Sequence, residues 1–112
     1  MTMAVTGIHH LLVETHNWGK SAKFWHELGW TLAEDHGTSG KLTSPSGGPY
    51  IWLNEVAPTK DPVIDVYFDL EEKGFAPGKP VEVVEALANT HWGTRLMTVR
   101  DPDRRLVRLQ AT

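Results

Sequence analysis

The stretch GIHHLLVETHNWGKSAKFWHELGW, residues Gly7–Trp30, decides how the rest of the chain is read. Its first part, Ile8–Thr15, places Leu11 and Val13 on one face of a strand. His10, Leu12 and Glu14 fall on the other, because side chains alternate along extended chain. Asn17 then offers a side-chain oxygen to the unpaired amides of a helix start. Trp18, Ala22, Trp25 and Leu28 follow at helical spacing, with Lys20, Lys23 and Glu27 between them. Gly29 closes the helix in a left-handed conformation, and Trp30 returns to extended chain. A two-faced strand thus feeds a helix that covers its apolar side.

Downstream, a polar extended segment, Thr31–His36, leads into a turn at Gly37–Gly40, a short strand at Lys41–Ser44 and a second turn at Pro45–Gly48. The next strand, Tyr50–Val56, carries Ile51 and Leu53 on one face and Tyr50, Trp52 and Asn54 on the other. Ala57–Pro62 reads as a linker. Val63–Leu70 is again a strand, with Ile64, Val66 and Phe68 opposite Val63, Asp65 and Tyr67. Val81–Leu87 and Arg95–Arg100 are β-rich and are separated by a turn at Asn89–Gly93. Asp101-Pro102-Asp103-Arg104 makes a tight turn before a last strand, Leu106–Ala111. There Val107 and Leu109 face one way, Leu106, Arg108 and Gln110 the other.

With 112 residues the chain forms one domain around one core. A net charge of −3 with scattered basic residues argues against a nucleic-acid partner. No apolar run approaches the ~20 residues of a membrane span, and MTMAVTG lacks the pattern of a signal peptide. The absence of cysteine removes disulfides, thiolate chemistry and Cys-ligated zinc. A cytoplasmic location is expected. Five tryptophans in so short a chain must fill a core or line a site.

The element order is an internal repeat of about 50 residues: module one about 5–56, a linker 57–62, and module two about 63–111. Four strands, two per module, pair an aliphatic face with a face of polar and aromatic groups. Those mixed faces are either the outer surface of an ordinary sheet or the lining of a curled one, and the repeat favours the lining. The predicted fold class is α+β, two βαβββ modules in a cup-like mixed sheet. Between Leu70 and Pro80 the sequence EEKGFAPGK is too short and too rich in glycine and proline for a full covering helix. The face formed by Ile64, Val66, Phe68, Val107 and Leu109 is then under-covered, which predicts a homodimer.

The chain resembles the glyoxalase/bleomycin-resistance/dioxygenase superfamily, also called vicinal oxygen chelate proteins. The resemblance rests on Gly7–Trp30, with Phe24-Trp25 and Leu28-Gly29 at its helix end, and on His91-Trp92-Gly93 followed by Arg100-Asp101-Pro102-Asp103. In metal-dependent members, ligands come from the first and fourth strands of both modules, usually as His and Glu. Carried over, these positions fall on His10, Trp52, Val63 (with Asp65 as the neighbouring candidate) and Arg108. A permanently charged Arg108 repels a divalent ion, so no cofactor is expected. The alternative is a divalent metal ion on His10 and Asp65, with Glu14 or Gln110 assisting.

Without a metal, the candidate ligand-binding residues are His10, Glu14, Tyr50, Trp52, Asn54, Asp65, Tyr67, Trp92, Arg108 and Gln110. Trp52 and Tyr67 offer flat apolar faces, and Arg108 offers a fork for a carboxylate or phosphate. The resemblance implies the non-catalytic, sequestering branch of the superfamily, binding a small aromatic or anionic ligand. Two readings compete. Arg108 could be a structural residue paired with Asp65 or Glu14. Alternatively the protein is a glyoxalase-like lyase, isomerase or dioxygenase in which His10, with Glu14 or Asp65, acts as general base. His9 is expected on the helix side in a structural role, and His16, His26, His36 and His91 on turns or the outer helix face.

Overall fold

The computed structural model describes residues 5–71, 73, 77–78 and 81–112. The elements run β1 (Val5–Thr15), α1 (Trp18–Glu27), β2 (Thr31–Asp35), β3 (Ser39–Thr43), β4 (Tyr50–Glu55), β5 (Ile64–Leu70), β6 (Glu82–Asn89), β7 (Arg95–Arg100) and β8 (Leu106–Ala111). The architecture is α+β, with eight strands in a mixed sheet of hydrogen-bonding order β2-β3-β4-β1-β5-β8-β7-β6. The repeat is visible in that order. In each half the first strand pairs in parallel with the fourth, β1 with β4 and β5 with β8, and the others pair antiparallel. Two compact units result, His10–Asp65 and Met1–His9 with Val66–Thr112. Among the described residues no helix is long and apolar enough to cross a membrane.

In the unit His10–Asp65 the core is Val13, Leu42, Ile51 and Leu53, with Leu11, Trp18, Ala22, Trp25 and Trp30 packed against it. These are the aliphatic faces of β1 and β4 and the apolar stripe of α1, as the spacing predicts. Asn17 caps the helix, its Oδ1 accepting from the Lys20 amide at 3.0 Å. The first turn holds no acid of its own. Glu55, at the end of β4, supplies one by accepting from the Trp18 amide at 2.9 Å, so a carboxylate meets the positive helix end. Gly29 takes the left-handed conformation at φ 106°. Leu28 departs from the expected stripe. The helix ends at Glu27, Leu28 becomes its C-cap at φ −83° and ψ −2°, and its side chain is exposed.

A second correction concerns Gly40, which lies within β3 and not in the turn before it. A Cβ there would stand 2.2 Å from the Glu34 carbonyl oxygen and 2.6 Å from Cη2 of Trp18. The ladder between β2 and β3 shifts register between Leu32 and Glu34, and this irregularity lies beside the glycine. Gly40 therefore lets the first side chain of α1 reach the sheet.

In the other unit the core is Leu70, Met97, Val99, Leu109 and Ala111, with Phe68, Leu87 and Val107 against it. The face expected to be under-covered is therefore largely closed within the single chain: Leu109 is buried, and Val66, Phe68 and Val107 are half-buried. Ile64 alone among those five stays open, at 60% exposure. The question of a second covering helix falls on the segment 71–80, most of which lies outside the described residues.

Gly40→Ala is expected to destabilise by about 3 kcal/mol, since backbone and not a flexible side chain must yield. Thermal unfolding should show a midpoint lower by about 10 °C. Asn17→Ala should cost about 1 kcal/mol in denaturant titration with an unchanged slope, the signature of a lost cap.

Candidate functional site

The mixed faces are not outer surfaces. His10, Thr98 and Gln110 are 7%, 1% and 2% exposed, so polar groups are buried opposite the aliphatic cores. Each such group must then find a partner or stay costly.

In the unit His10–Asp65, parallel register sets His10 beside Tyr50, Leu12 beside Trp52 and Glu14 beside Asn54. The His10 and Tyr50 rings stack at 4.8 Å with an interplanar angle of 1°. Lys41, from β3, places its ammonium 4.5 Å from the Tyr50 centroid. Because β1 and β3 flank β4 on opposite sides, these contacts occupy the two faces of the Tyr50 ring. Trp52 lies 5.8 Å from the His36 ring, whose Nε2 is 3.2 Å from Oε1 of Glu34. Glu14 is committed elsewhere. It pairs with the Lys60 ammonium and accepts from the Val63 amide at 3.2 Å, while its own amide donates to the Val63 carbonyl at 3.0 Å. Glu14 thus ties the 57–62 linker to β1, helped by His16, whose Nε2 donates to the Lys60 carbonyl at 2.6 Å. Asn54 and Asp65 are half-buried on β4 and β5.

In the other unit, antiparallel register puts Thr98 beside Arg108 and Leu96 beside Gln110, and parallel register puts Tyr67 beside Arg108. The Arg108 guanidinium donates through Nη1 to Oγ1 of Thr98 at 2.7 Å. Its Nε is buried with no hydrogen-bond partner. Among the described residues no carboxylate forms an ion pair with it, although Asp69 and Glu85 stand in register with its neighbours Gln110 and Thr98. Gln110 is engaged at both ends of its amide. Its Oε1 accepts from the Trp92 indole at 3.3 Å, and its amide lies 3.3 Å from Nδ1 of His9. Indole only donates, so Oε1 must face Trp92, the Gln110 amide must donate, and His9 Nδ1 must accept. Trp92 itself is half-exposed and meets His91 edge-on at 4.8 Å.

The structure thus gathers His10 with Tyr50, and Arg108 with Tyr67 and Gln110, while Glu14 serves the linker. Three participants escaped the sequence reading. Lys41 and His36 sit on a strand and turn assigned no function. His9 was placed on the helix side by counting alternation back from Leu11 and Val13. Its ring lies instead against the Gln110 amide, on the mixed face of β8.

The donor set does not fit a divalent ion. The position matching the fourth-strand ligand is Trp52, and the last-strand position is the fixed cation Arg108. The histidine at the first is stacked on Tyr50. No three His, Asp or Glu side chains converge among the described residues.

No protein-family model matches the chain, and no curated protein matches it in sequence. Solved structures match in shape. Methylmalonyl-CoA epimerase from Mycobacterium tuberculosis superposes with a TM-score of 0.72 at 15% identity, covering 99% of this chain and 91% of that one. A glyoxalase/bleomycin resistance protein/dioxygenase superfamily member from Vibrio splendidus 12B01 gives 0.66 at 14% identity, over 94% and 99%. A Legionella pneumophila protein described as NAD-dependent benzaldehyde dehydrogenase gives 0.61 at 15%, over 90% and 96%. Strand order, parallel first-to-fourth pairing in both halves and these superpositions agree: the chain has the vicinal oxygen chelate fold of the glyoxalase/bleomycin-resistance/dioxygenase superfamily.

Proposed function

We propose that this protein is a non-catalytic, cytoplasmic binder that sequesters a small aromatic or anionic molecule, with no metal cofactor. One observation carries the reading: Arg108 holds a positive charge among neutral cross-strand neighbours, with a buried, unpartnered Nε. A protein does not keep such a donor for its own stability, because a buried unmade hydrogen bond costs about 1–3 kcal/mol. In this reading a bound ligand, met by a local rearrangement of the side chain, offsets that cost. The half-exposed Trp92 of the same unit supplies aromatic surface of the kind small-molecule sites use. An acid–base role is less well supported. Glu14, one partner suggested for a His10 base, is held by Lys60 and the Val63 amide. We also propose a homodimer, for which the exposed Ile64 is the remaining support.

Ligand-observed NMR with a fragment set spanning anions, cations and neutral aromatics tests the binding reading. Anionic aromatics should bind the wild-type protein without being consumed. Arg108→Gln should lose them while its unfolding free energy stays within about 1 kcal/mol of wild type, and Trp92→Ala should weaken them. Binding without charge preference, or consumption of a bound fragment that stops in His10→Ala, would overturn it. Sedimentation at micromolar concentration should give a dimer; a clean monomer removes that part of the proposal.

A further inference from the structure

Resting on the binding reading above, we infer that Gln110 is a positioning residue, whose buried amide fixes the Trp92 indole as the stacking surface for the ligand's aromatic ring. Gln110 is 2% exposed, and both ends of its amide are occupied within the protein. Its Oε1 accepts from the Trp92 indole at 3.3 Å, and its amide nitrogen lies 3.3 Å from Nδ1 of His9. Trp92 is the accessible member of the set, at 50% exposure. All three residues belong to one unit. Gln110 therefore acts on a ligand through Trp92 and not by touching it.

Two sets of contacts leave the indole little freedom. The turn that carries it, residues 90–94, is closed on itself. The Thr90 amide donates to the Thr94 carbonyl at 2.9 Å, and the Thr90 hydroxyl accepts from the amides of Trp92 at 3.3 Å and Thr94 at 3.1 Å. Gly93 completes the turn in the left-handed region at φ 88°. With the backbone held, the two side-chain torsions of Trp92 remain. The tether to Gln110 and the perpendicular His91 ring at 4.8 Å restrict both. Stability alone does not ask for that tether. Water satisfies the N–H of a half-exposed indole, and a methionine at position 110 would fill a similar volume without desolvating an amide. What the amide adds is a fixed ring. A flat side chain already held in its bound orientation loses less freedom when an aryl group stacks on it.

The test follows the indole Nε1–H resonances of the full chain in proton–nitrogen NMR, with naphthoate as an anionic aromatic probe. Trp92→Phe assigns the Trp92 signal by its loss. Naphthoate should shift that signal saturably. Gln110→Met, with an unchanged circular dichroism spectrum, should move it upfield in the free protein and weaken naphthoate about fivefold. In the Trp92→Phe background the same substitution should change the remaining affinity by less than about twofold, since a role exercised through Trp92 vanishes with it. His9→Leu should weaken naphthoate about threefold. His9→Asn, whose amide oxygen stands near the place of Nδ1, should not, and this pair decides the matter if Gln110→Met does not fold. Wild-type affinity in Gln110→Met or His9→Leu, or an equal loss in the Trp92→Phe background, overturns the assignment. Naphthoate bound elsewhere, with the Trp92 signal unmoved, also overturns it and leaves the binding reading standing. If no probe in the fragment set binds anywhere, both fall.

Discussion

Alternation along β4 and β8 is the constraint on which both units depend. A strand cannot bury one parity for packing without assigning the other parity to something else. In β4, Ile51 and Leu53 go to the core, which sends Tyr50, Trp52 and Asn54 to the opposite face. In β8, Leu109, Gln110 and Ala111 are buried in succession, so both faces of the strand are covered there. Covering a face that carries Arg108 and Gln110 forces a hydrogen-bond accounting that an exposed sheet would leave to water. Gln110 closes its account through Trp92 and His9, and Thr98 through Arg108. What stays open is the Arg108 Nε. The candidate site is therefore the remainder of a nearly complete network.

Much of the fold was legible because its signals are local. Asn17, the Trp18–Ala22–Trp25 stripe and Gly29 each act within a turn or two of chain, and each acts as its position implies. Strand faces in β4 and β8 were legible for the same reason. The failures share a different origin. Leu28 lies outside the core because the helix stops one residue before it. Gly40 looks like a turn residue until the Glu34 carbonyl and the Trp18 ring are set against it from other elements. His9 was assigned by parity alone, whereas its partner, the Gln110 amide, arrives from a strand 101 residues away in sequence.

Within the site, residue types were legible and their commitments were not. Glu14 and Arg108 both stood as inward polar residues, and nothing in the sequence separates them. In the fold Glu14 is consumed by Lys60 and the Val63 amide, forty-six and forty-nine residues away in sequence. Arg108 receives only a hydroxyl from the neighbouring strand. An ion pair depends on which distant acid arrives, and that is a tertiary fact. The same holds for Tyr50, whose ring could serve a ligand on composition alone but is faced by His10 and Lys41.

A cation at this position of the last strand has a physical meaning of its own. A carboxylate at such a position draws in a cation, and a guanidinium reverses the sign of what it draws. Removing a metal ligand by, say, alanine would leave a vacant site with no preference. Arginine instead brings a directional, permanently charged donor into a half-buried setting. Thr98 matters here because it fixes the plane of that donor while leaving one edge unspent. If Arg108 were there for stability, the cheapest arrangement would be a carboxylate across the strand, at position 98 or 67. Those positions hold threonine and tyrosine, which can accept or pack but cannot neutralise. The two register partners of Arg108 thus bring hydroxyls and no charge.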